Sequence, residues 1–333
     1  MLTFLKSLHI IQVIRPPAPL NISVLMCPRG GCFFIGVNFM DVKEFATFQE
    51  QLEKLKQRGC IVADENFAIR QLKRINYYRF TAYFLPFKKD NDTYIDGTSF
   101  DTVFRIYEFD RKLRGLLLSI CEQIELMLRT RIAYYHSEKY GALGYLNAEN
   151  FSNRHDHDKF IEKCEKEIKQ NENKPFVQHH IEKYDSKFPL WVIIELFSMG
   201  DLSFFFSDMN VSDKKSIARE VFNTTHYNVS SWLFCLTILR NHCAHYARLY
   251  NTRFGTVPVT PNKSTYQMKD SVFDYIMALK LLYPDAIEWK NVCLINLYAL
   301  IEEYQGVIDM NRIGFPENWK ELLEQSNPKL QSK

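Results

Sequence analysis

The residues best suited to chemistry in this chain stand together in the run Arg240-Asn241-His242-Cys243-Ala244-His245. A histidine side chain titrates near neutral pH and can transfer protons, and an arginine carries a permanent charge on a fork of donors. RNA can be cut by such groups without a metal, because its own 2′-hydroxyl is a nucleophile held beside the phosphorus. Arg240 and His245 would supply the charge stabilisation and the proton transfer. Asn241 is suited to hydrogen-bond the phosphate or to orient His245.

The five-residue spacing between Arg240 and His245 limits how one helix could use them. On a straight helix this spacing turns the two side chains apart by about 140°. We therefore expect a composite cleft, in which Arg240 of one helix and His245 of a second, facing helix flank one phosphate. Taken alone, the pair is equally compatible with a buried polar pair or a helix-capping network.

The same spacing occurs a second time, between Arg131 and His136, so the pattern arises readily by chance. One interpretation places an arginine at the edge of an apolar stripe and a histidine near a helix end. The other makes Arg131 and His136 an internal second half-site. The sequence leaves both open.

Helical periodicity dominates the segments that must position these residues. The longest apolar stripe predicts a helix over about residues 100–135, and within it Glu125 stands four residues before Arg129, as in a helical ion pair. Ser230 or Ser231 is expected to cap the helix that carries Arg240. Further helices are expected over residues 41–58 and from Pro189 to about Met199, with Gly200-Asp201 as the break after the latter. Strand signals are sparse, so the predicted fold is an all-α helical bundle with additional peripheral helices.

Composition excludes several classes of protein. The chain has 42 basic and 39 acidic residues and a net charge of +3, so it lacks the basic excess of a protein that coats nucleic acid, and any RNA contact must be local. Its eight cysteines show no paired CxxC spacing, which indicates neither a zinc nor a disulfide framework and fits a reducing cytoplasm. Every apolar run is shorter than the roughly 20 residues that a membrane-spanning helix needs. We expect a soluble, cytoplasmic protein without a cofactor.

Three segments are expected along the chain. Residues 1–39 are interpreted as a disordered tail or an incorrectly assigned start, with Met40 as the true first residue. Residues 40–255 form the main helical domain, with a polar insertion near 153–187. Residues 256–333 are expected to be a helical extension packed on the same domain.

Several sequence blocks, in the same order along the chain, resemble the AbiD/AbiF abortive-infection proteins of the Abi-like family. The blocks are Ile75-Asn76-Tyr77-Tyr78-Arg79-Phe80 with Ala82-Tyr83, Phe109-Asp110-Arg111-Lys112-Leu113-Arg114, Glu125 with Leu128-Arg129-Thr130, Pro189-Leu190-Trp191-Val192 with Glu195, and Leu239 to His245 followed by Arg248-Leu249-Tyr250-Asn251.

The resemblance implies a HEPN-like helical bundle and metal-independent endoribonuclease activity in phage defence or a toxin system. It implies that two HEPN units pair. The partners that we expect are an RNA substrate, a second copy of the chain in a homodimer, and a regulatory RNA or antitoxin. Carried over by position, it marks Arg240, Asn241 and His245 as catalytic. It gives Glu125, Arg129, Arg248 and His242 supporting roles, although His242 lies inside the motif and competes with His245 for the proton transfer.

Two other function classes remain open from the sequence. A non-catalytic RNA-binding or scaffold protein would use the same arginine and histidine only to grip RNA, with aromatic side chains stacking on bases. A metal-dependent hydrolase would need ligands such as His155, Asp156, His157 and Asp158, or His179 and His180. The crowding of these residues in a charged stretch favours a solvated surface instead.

Overall fold

The structure is a computed structural model that describes residues 43–262 and 264–325. Contacts divide the chain into Met1–Thr47 and Phe48–Lys333, and the fold below is that of the second unit. Its α-helices are α1 (Phe48–Gln57), α2 (Glu65–Leu72), α3 (Tyr77–Thr81), α4 (Phe100–Tyr140), α5 (His157–Gln170), α6 (Pro175–Lys183), α7 (Leu190–Ile193), α8 (Met199–Asp208), α9 (Val211–Phe222), α10 (His226–Ala244), α11 (Val272–Leu282), α12 (Ala286–Glu288), α13 (Leu294–Glu303) and α14 (Trp319–Glu324).

Extended structure in the described part of the chain is limited to three isolated bridges, Ile61 with Ser99, Lys88 with Tyr94, and Phe151 with Met209. The predicted all-α class is therefore confirmed. Within the described residues, no helix is both long and apolar enough to cross a membrane. The tail predicted at 1–39 lies outside the described residues.

Helix α4 is the spine of the bundle. Its 41 residues span about 60 Å at the α-helical rise. Ser99 caps the first turn by accepting a hydrogen bond from the Thr102 backbone N–H, and Gly141, with φ of 79°, ends the helix. The predicted stripe from Val103 to Tyr135 is buried as far as Ile132, while Tyr135 is half-buried. The helix packs against α7, α8, α9, α10, α11 and α13. Periodicity located this helix, which runs five residues beyond the predicted end.

Helix α10 lies beside α4 and also packs against α8, α9 and α11. It begins at His226, because the Thr225 side chain accepts a hydrogen bond from the Asn228 backbone N–H. The predicted caps Ser230 and Ser231 are therefore wrong and lie inside the helix. The additional turn at the start of α10, before Ser230, adds buried contacts to the helix. The C-terminal end of α10 carries the Arg240–His245 run.

Three other predictions about helix boundaries were wrong. The helix expected over 41–58 begins only at Phe48 within the described residues. The helix opening after Pro189 ends at Ile193 and passes into a 3-10 turn over Ile194–Leu196. Gly200 and Asp201, expected to break a helix, lie in the first turn of α8, because Ser198 and Asp201 form a reciprocal capping box.

The two segments flanking the bundle core differ in burial. The polar stretch 153–187 forms α5 and α6, whose residues are mainly exposed, with Cys164 and Val177 as their buried contacts. Every residue of α11 is buried, and this helix packs against α10 and α4. The segment after residue 255 thus contributes a central helix to the same core.

Candidate functional site

Arg240 faces α4, where a carboxylate holds it. Glu125 Oε2 lies 3.6 Å from Arg240 Nε, and Glu125 Oε1 accepts a hydrogen bond of 2.6 Å from Arg129 Nη2. The predicted helical ion pair of Glu125 and Arg129 is confirmed. Arg129 is also anchored by donating to the backbone oxygens of Ile194 and Phe197. Glu125 therefore bridges a fixed, buried arginine and a second one whose side chain is 34% exposed.

His245 stands at the end of α10 as its C-cap residue, and its backbone N–H donates to Asn241 O. The side chains of His245 and Asn241 are exposed, and neither has a hydrogen-bond or ion-pair partner in the described part of the chain. An exposed histidine and amide are free to meet a ligand, whereas Arg240 is turned toward Glu125. Asn241 and His245, four residues apart, thus share one exposed face of the helix end, while Arg240 points to α4.

The chain reverses immediately after His245 through a Schellman motif. Ala247 N–H donates to His242 O over 2.8 Å, and Tyr246 N–H donates to Cys243 O over 3.2 Å. Tyr246 takes the left-handed position of this motif, with φ of 60°, where glycine is the usual residue. A side chain there costs of order 1 kcal/mol, so surrounding contacts must hold the turn.

Three arginines supply those contacts, and we call them the loop clamp. Arg79, on α3, donates to the backbone oxygen of Tyr246. Arg114, on α4, donates to Ala247 O over 3.5 Å. Arg248 reaches back from the turn to the backbone oxygen of Ala82. The loop clamp fixes the chain at Tyr246 and at the two residues that follow it, and so holds the turn next to His245.

Asp110, fully buried on α4, completes the attachment. Its carboxylate accepts hydrogen bonds from Tyr250 N–H at 2.7 Å, Leu249 N–H at 3.1 Å and Tyr83 Oη at 2.5 Å, and it pairs with Arg114. Burial raises the pKa of Asp110, and the Arg114 charge and the hydrogen-bond donors oppose that shift. Since every partner is a donor, the group acts as an ionised acceptor that holds the segment after His245.

His242 is already engaged in the fold. Its Nδ1 lies 2.9 Å from Ile238 O, one turn back on α10, and its ring packs edge-on against Phe254 with centroids 5.0 Å apart. A ring held by its own helix and by a neighbouring aromatic side chain is less free to approach a phosphate than His245. Of the two histidines in this run, His245 is the one whose side chain is exposed.

Arg131 and His136 are not brought together. Arg131 is exposed on α4, while His136 is only 1% exposed and lies among Tyr140, Phe151 and Phe205, with ring centroids 5.0–5.5 Å away. A buried imidazole cannot contact a phosphate, so we leave this pair out of the candidate site.

The surroundings of His136 make the free energy of unfolding depend on pH. Neither ring nitrogen has a hydrogen-bond partner among the described residues, and burial lowers the pKa of His136 from 6.5 to about 4. As pH falls below 6.5, His136 binds a proton in the unfolded chain but stays neutral in the folded chain. The free energy of unfolding therefore decreases toward pH 4. We expect a loss of about 2 kcal/mol between pH 7 and pH 5 in urea unfolding. His136→Phe should remove that part of the slope and the exposed control His179→Ala should not; equal slopes in all three proteins would contradict this assignment.

Three residues of the metal alternative are bonded to other groups of the fold. His155 Nδ1 lies 3.0 Å from Asp208 Oδ2, and Asp156 caps α5 by accepting from the Lys159 backbone N–H. His180 Nδ1 lies 2.9 Å from Phe176 O within α6. Over residues 43–262 and 264–325, no group of three or more His, Cys, Asp or Glu side chains could hold a metal ion.

Sequence reasoning missed the roles of Asp110, Arg114 and Arg79. A signal existed for the first two, since opposite charges four residues apart stand beside the apolar stripe of α4, where unpaired charge would be costly. Arg79 had no such signal, because its contact lies 167 residues away. All three stand in the blocks of the family resemblance, which assigned them no role.

The fold and site define a class of all-α protein in which an Arg-x4-His helix end is clamped onto one long helix. The family model described as Abi-like protein matches residues 70–251, more than half of the chain, and the chain belongs to this family. The membership supports a role in abortive infection. Neither a curated protein nor a solved structure matches the chain.

Proposed function

We propose that this protein is a HEPN-type endoribonuclease of the AbiD/AbiF kind, which cuts RNA without a metal during abortive infection or as a toxin. The observation that carries the proposal is the end of α10. There Arg240 is held by Glu125, and five residues later His245 is exposed without a partner on a clamped turn. A charged group and a free imidazole at a fixed helix end are what 2′-hydroxyl transesterification requires.

Each residue has a defined part in the reaction. His245 removes the proton from the 2′-hydroxyl or protonates the leaving 5′-oxygen, and Arg240 stabilises the negative charge on the phosphorane-like transition state. Asn241, exposed one turn before His245, hydrogen-bonds a phosphate oxygen. Glu125 and Arg129 position Arg240, while Arg248 and the backbone contact of His242 help to hold the helix end.

The divergent directions of Arg240 and His245 support a site shared by two chains. An isologous dimer brings residue i of one copy to residue j of the other, so Arg240 of each copy would meet His245 of its partner and form two equivalent sites. In this proposal the homodimer is the active unit. An antitoxin or regulatory RNA would control a cytoplasmic enzyme by covering the exposed ends of α10.

The proposal is tested by incubating the purified full chain with single-stranded RNA in excess EDTA. We expect cleavage that leaves 2′,3′-cyclic phosphate or 3′-phosphate ends, because the internal 2′-hydroxyl is the nucleophile. Products with 3′-hydroxyl ends, or cleavage that stops in EDTA and returns with a divalent cation, would overturn it. RNA binding without any cleavage would instead favour the non-catalytic alternative, for which the exposed rings of Tyr78 and Tyr246 near the loop clamp offer stacking surfaces.

A further inference from the structure

A pocket of about 520 Å³ lies between α4 and the α7 segment, apart from the exposed end of α10. We call it the Trp191 pocket, and its lining includes Arg129, Tyr134, Ser137, Trp191 and Glu195. The Trp191 and Tyr134 side chains are 52% and 57% exposed, although large aromatic rings gain most when buried. Two half-exposed rings lining one pocket indicate that it takes a flat, apolar-faced ligand.

The polar groups of the pocket narrow the class of ligand. Ser137 Oγ is buried without a hydrogen-bond partner, and the exposed Glu195 carboxylate has none among the described residues. Arg129 donates to Glu125 and to two backbone oxygens, so its guanidinium is largely occupied. Glu138, also in the lining, accepts a hydrogen bond of 3.0 Å from Tyr134 Oη. The side-chain groups without a partner among the described residues are thus the Glu195 carboxylate and the Ser137 hydroxyl. They favour a ligand edge that donates hydrogen bonds, and the carboxylate disfavours a phosphate inside the pocket.

The Trp191 pocket is joined to the candidate catalytic residues by one carboxylate. Arg129 forms part of its lining and donates to Glu125 Oε1, while Glu125 Oε2 lies 3.6 Å from Arg240 Nε. A ligand in the pocket is therefore separated from Arg240 by only two side chains of α4.

We propose that the Trp191 pocket binds a nucleobase with an exocyclic amino group, from the RNA strand whose backbone passes Arg240. The base stacks on Trp191, and its amino group donates to Glu195, as amino groups of cytosine and adenine do to side-chain acceptors. Uracil has no amino group, and its one donor on this edge, N3–H, lies between two carbonyl oxygens that a carboxylate repels. The proposal rests on the proposed function for its substrate, and it adds a base preference beside the cleavage site.

The test uses the full chain carrying His245→Ala, so that RNA is bound but not cut, and 5′-labelled single-stranded oligoadenylate, oligocytidylate and oligouridylate of equal length. Fluorescence anisotropy should show adenylate or cytidylate binding about tenfold more tightly than uridylate. Trp191→Ala should weaken their binding about tenfold and Trp191→Phe by much less. Glu195→Gln should reduce the preference over uridylate. The control Phe204→Ala, which removes an exposed aromatic ring of α8, should change nothing.

Equal affinity in the Trp191→Ala and Trp191→Phe proteins would overturn the proposal, and so would equal affinity for the three oligonucleotides. A pocket that instead takes an arginine side chain of a partner protein would give both of these results. Titration with adenosine monophosphate separates a strand from a free nucleotide as the source of the base. Tryptophan quenching that the Trp191→Phe protein lacks, at concentrations similar to those at which oligoadenylate binds, would identify the free nucleotide and overturn the binding of a strand.

The two proposals fail separately. Absence of cleavage by the protein with His245 intact, together with Trp191-dependent binding, would remove the nuclease and leave the base site standing. Cleavage by that protein with a KM unchanged by Trp191→Ala would remove the base site and leave the nuclease. If both hold, Trp191→Ala raises KM about tenfold while kcat stays within about twofold.

Discussion

Replacement of His245 by alanine is expected to slow RNA cleavage in EDTA by about 10²- to 10⁴-fold, the usual contribution of a general acid–base group. The effect arises in the chemical step, because His245 has no side-chain partner in the described structure whose loss would disturb the fold. Single-turnover rates at saturating protein measure it directly. Urea unfolding of the variant should match that of the unchanged protein.

His242→Ala is the matched control, since it removes the other imidazole of the same run. We expect less than about a tenfold loss of rate, because the His242 ring already contacts Ile238 O and Phe254. A larger loss for His242→Ala than for His245→Ala would reverse the assignment.

Mixing inactive Arg240→Ala and His245→Ala proteins tests the shared site, because random dimers should regain about a quarter of the activity. No recovery after subunit exchange would place Arg240 and His245 of one chain in one site.

Replacement of Asp110 by alanine is expected to lower the free energy of unfolding by about 3–5 kcal/mol, as breaking a buried ion pair does. Arg114 would keep a buried charge without its partner, and the backbone N–H groups of Leu249 and Tyr250 would lose their acceptor. Urea unfolding followed by circular dichroism measures the loss. Because this is a large share of the stability of a typical domain, Asp110→Asn provides a milder variant that keeps one oxygen acceptor.

Glu108→Ala is the control for Asp110 on the same helix. Glu108 Oε2 lies 2.9 Å from Arg111 Nη2, but that pair is solvent-exposed, so its removal should cost no more than about 1 kcal/mol. Equal losses for Asp110→Ala and Glu108→Ala would show that the buried network contributes no more than a surface pair. If the Asp110→Ala protein were as stable as the unchanged protein but cleaved RNA more slowly, Asp110 would serve only to position the turn after His245.

The sequence predicted the features that depend on local periodicity. The α4 stripe and the Glu125–Arg129 pair were confirmed because three- and four-residue spacing alone brings such side chains together. The predicted start of α10 and the predicted continuation of the helix beyond Ile193 were wrong, because several nearby polar residues compete to cap a helix. Thr225 and the Ser198–Asp201 pair prevail over Ser230 and Gly200 only once the buried turns are fixed.

The surroundings of the candidate site could not be predicted in the same way. The contact of Arg79 with Tyr246 and that of Asp110 with Tyr250 join residues 167 and 140 positions apart, and no local pattern encodes such pairs. The left-handed backbone at Tyr246 was equally hidden, because tyrosine is not a residue that marks this conformation. Burial of His136 followed from a cage of aromatic rings contributed by several segments.

Helix α4 also acts as a ruler for the site. Asp110 attaches the chain after His245, and Glu125 attaches Arg240 about 22 Å further along the same rod. Insertion of one residue between them would rotate one anchor by about 100° about the axis relative to the other. If one of the two carboxylates, Asp110 or Glu125, still faced α10, the other would then face away from it. Length changes compatible with the site must therefore fall in the connecting loops, while this stretch of α4 keeps a constant number of residues.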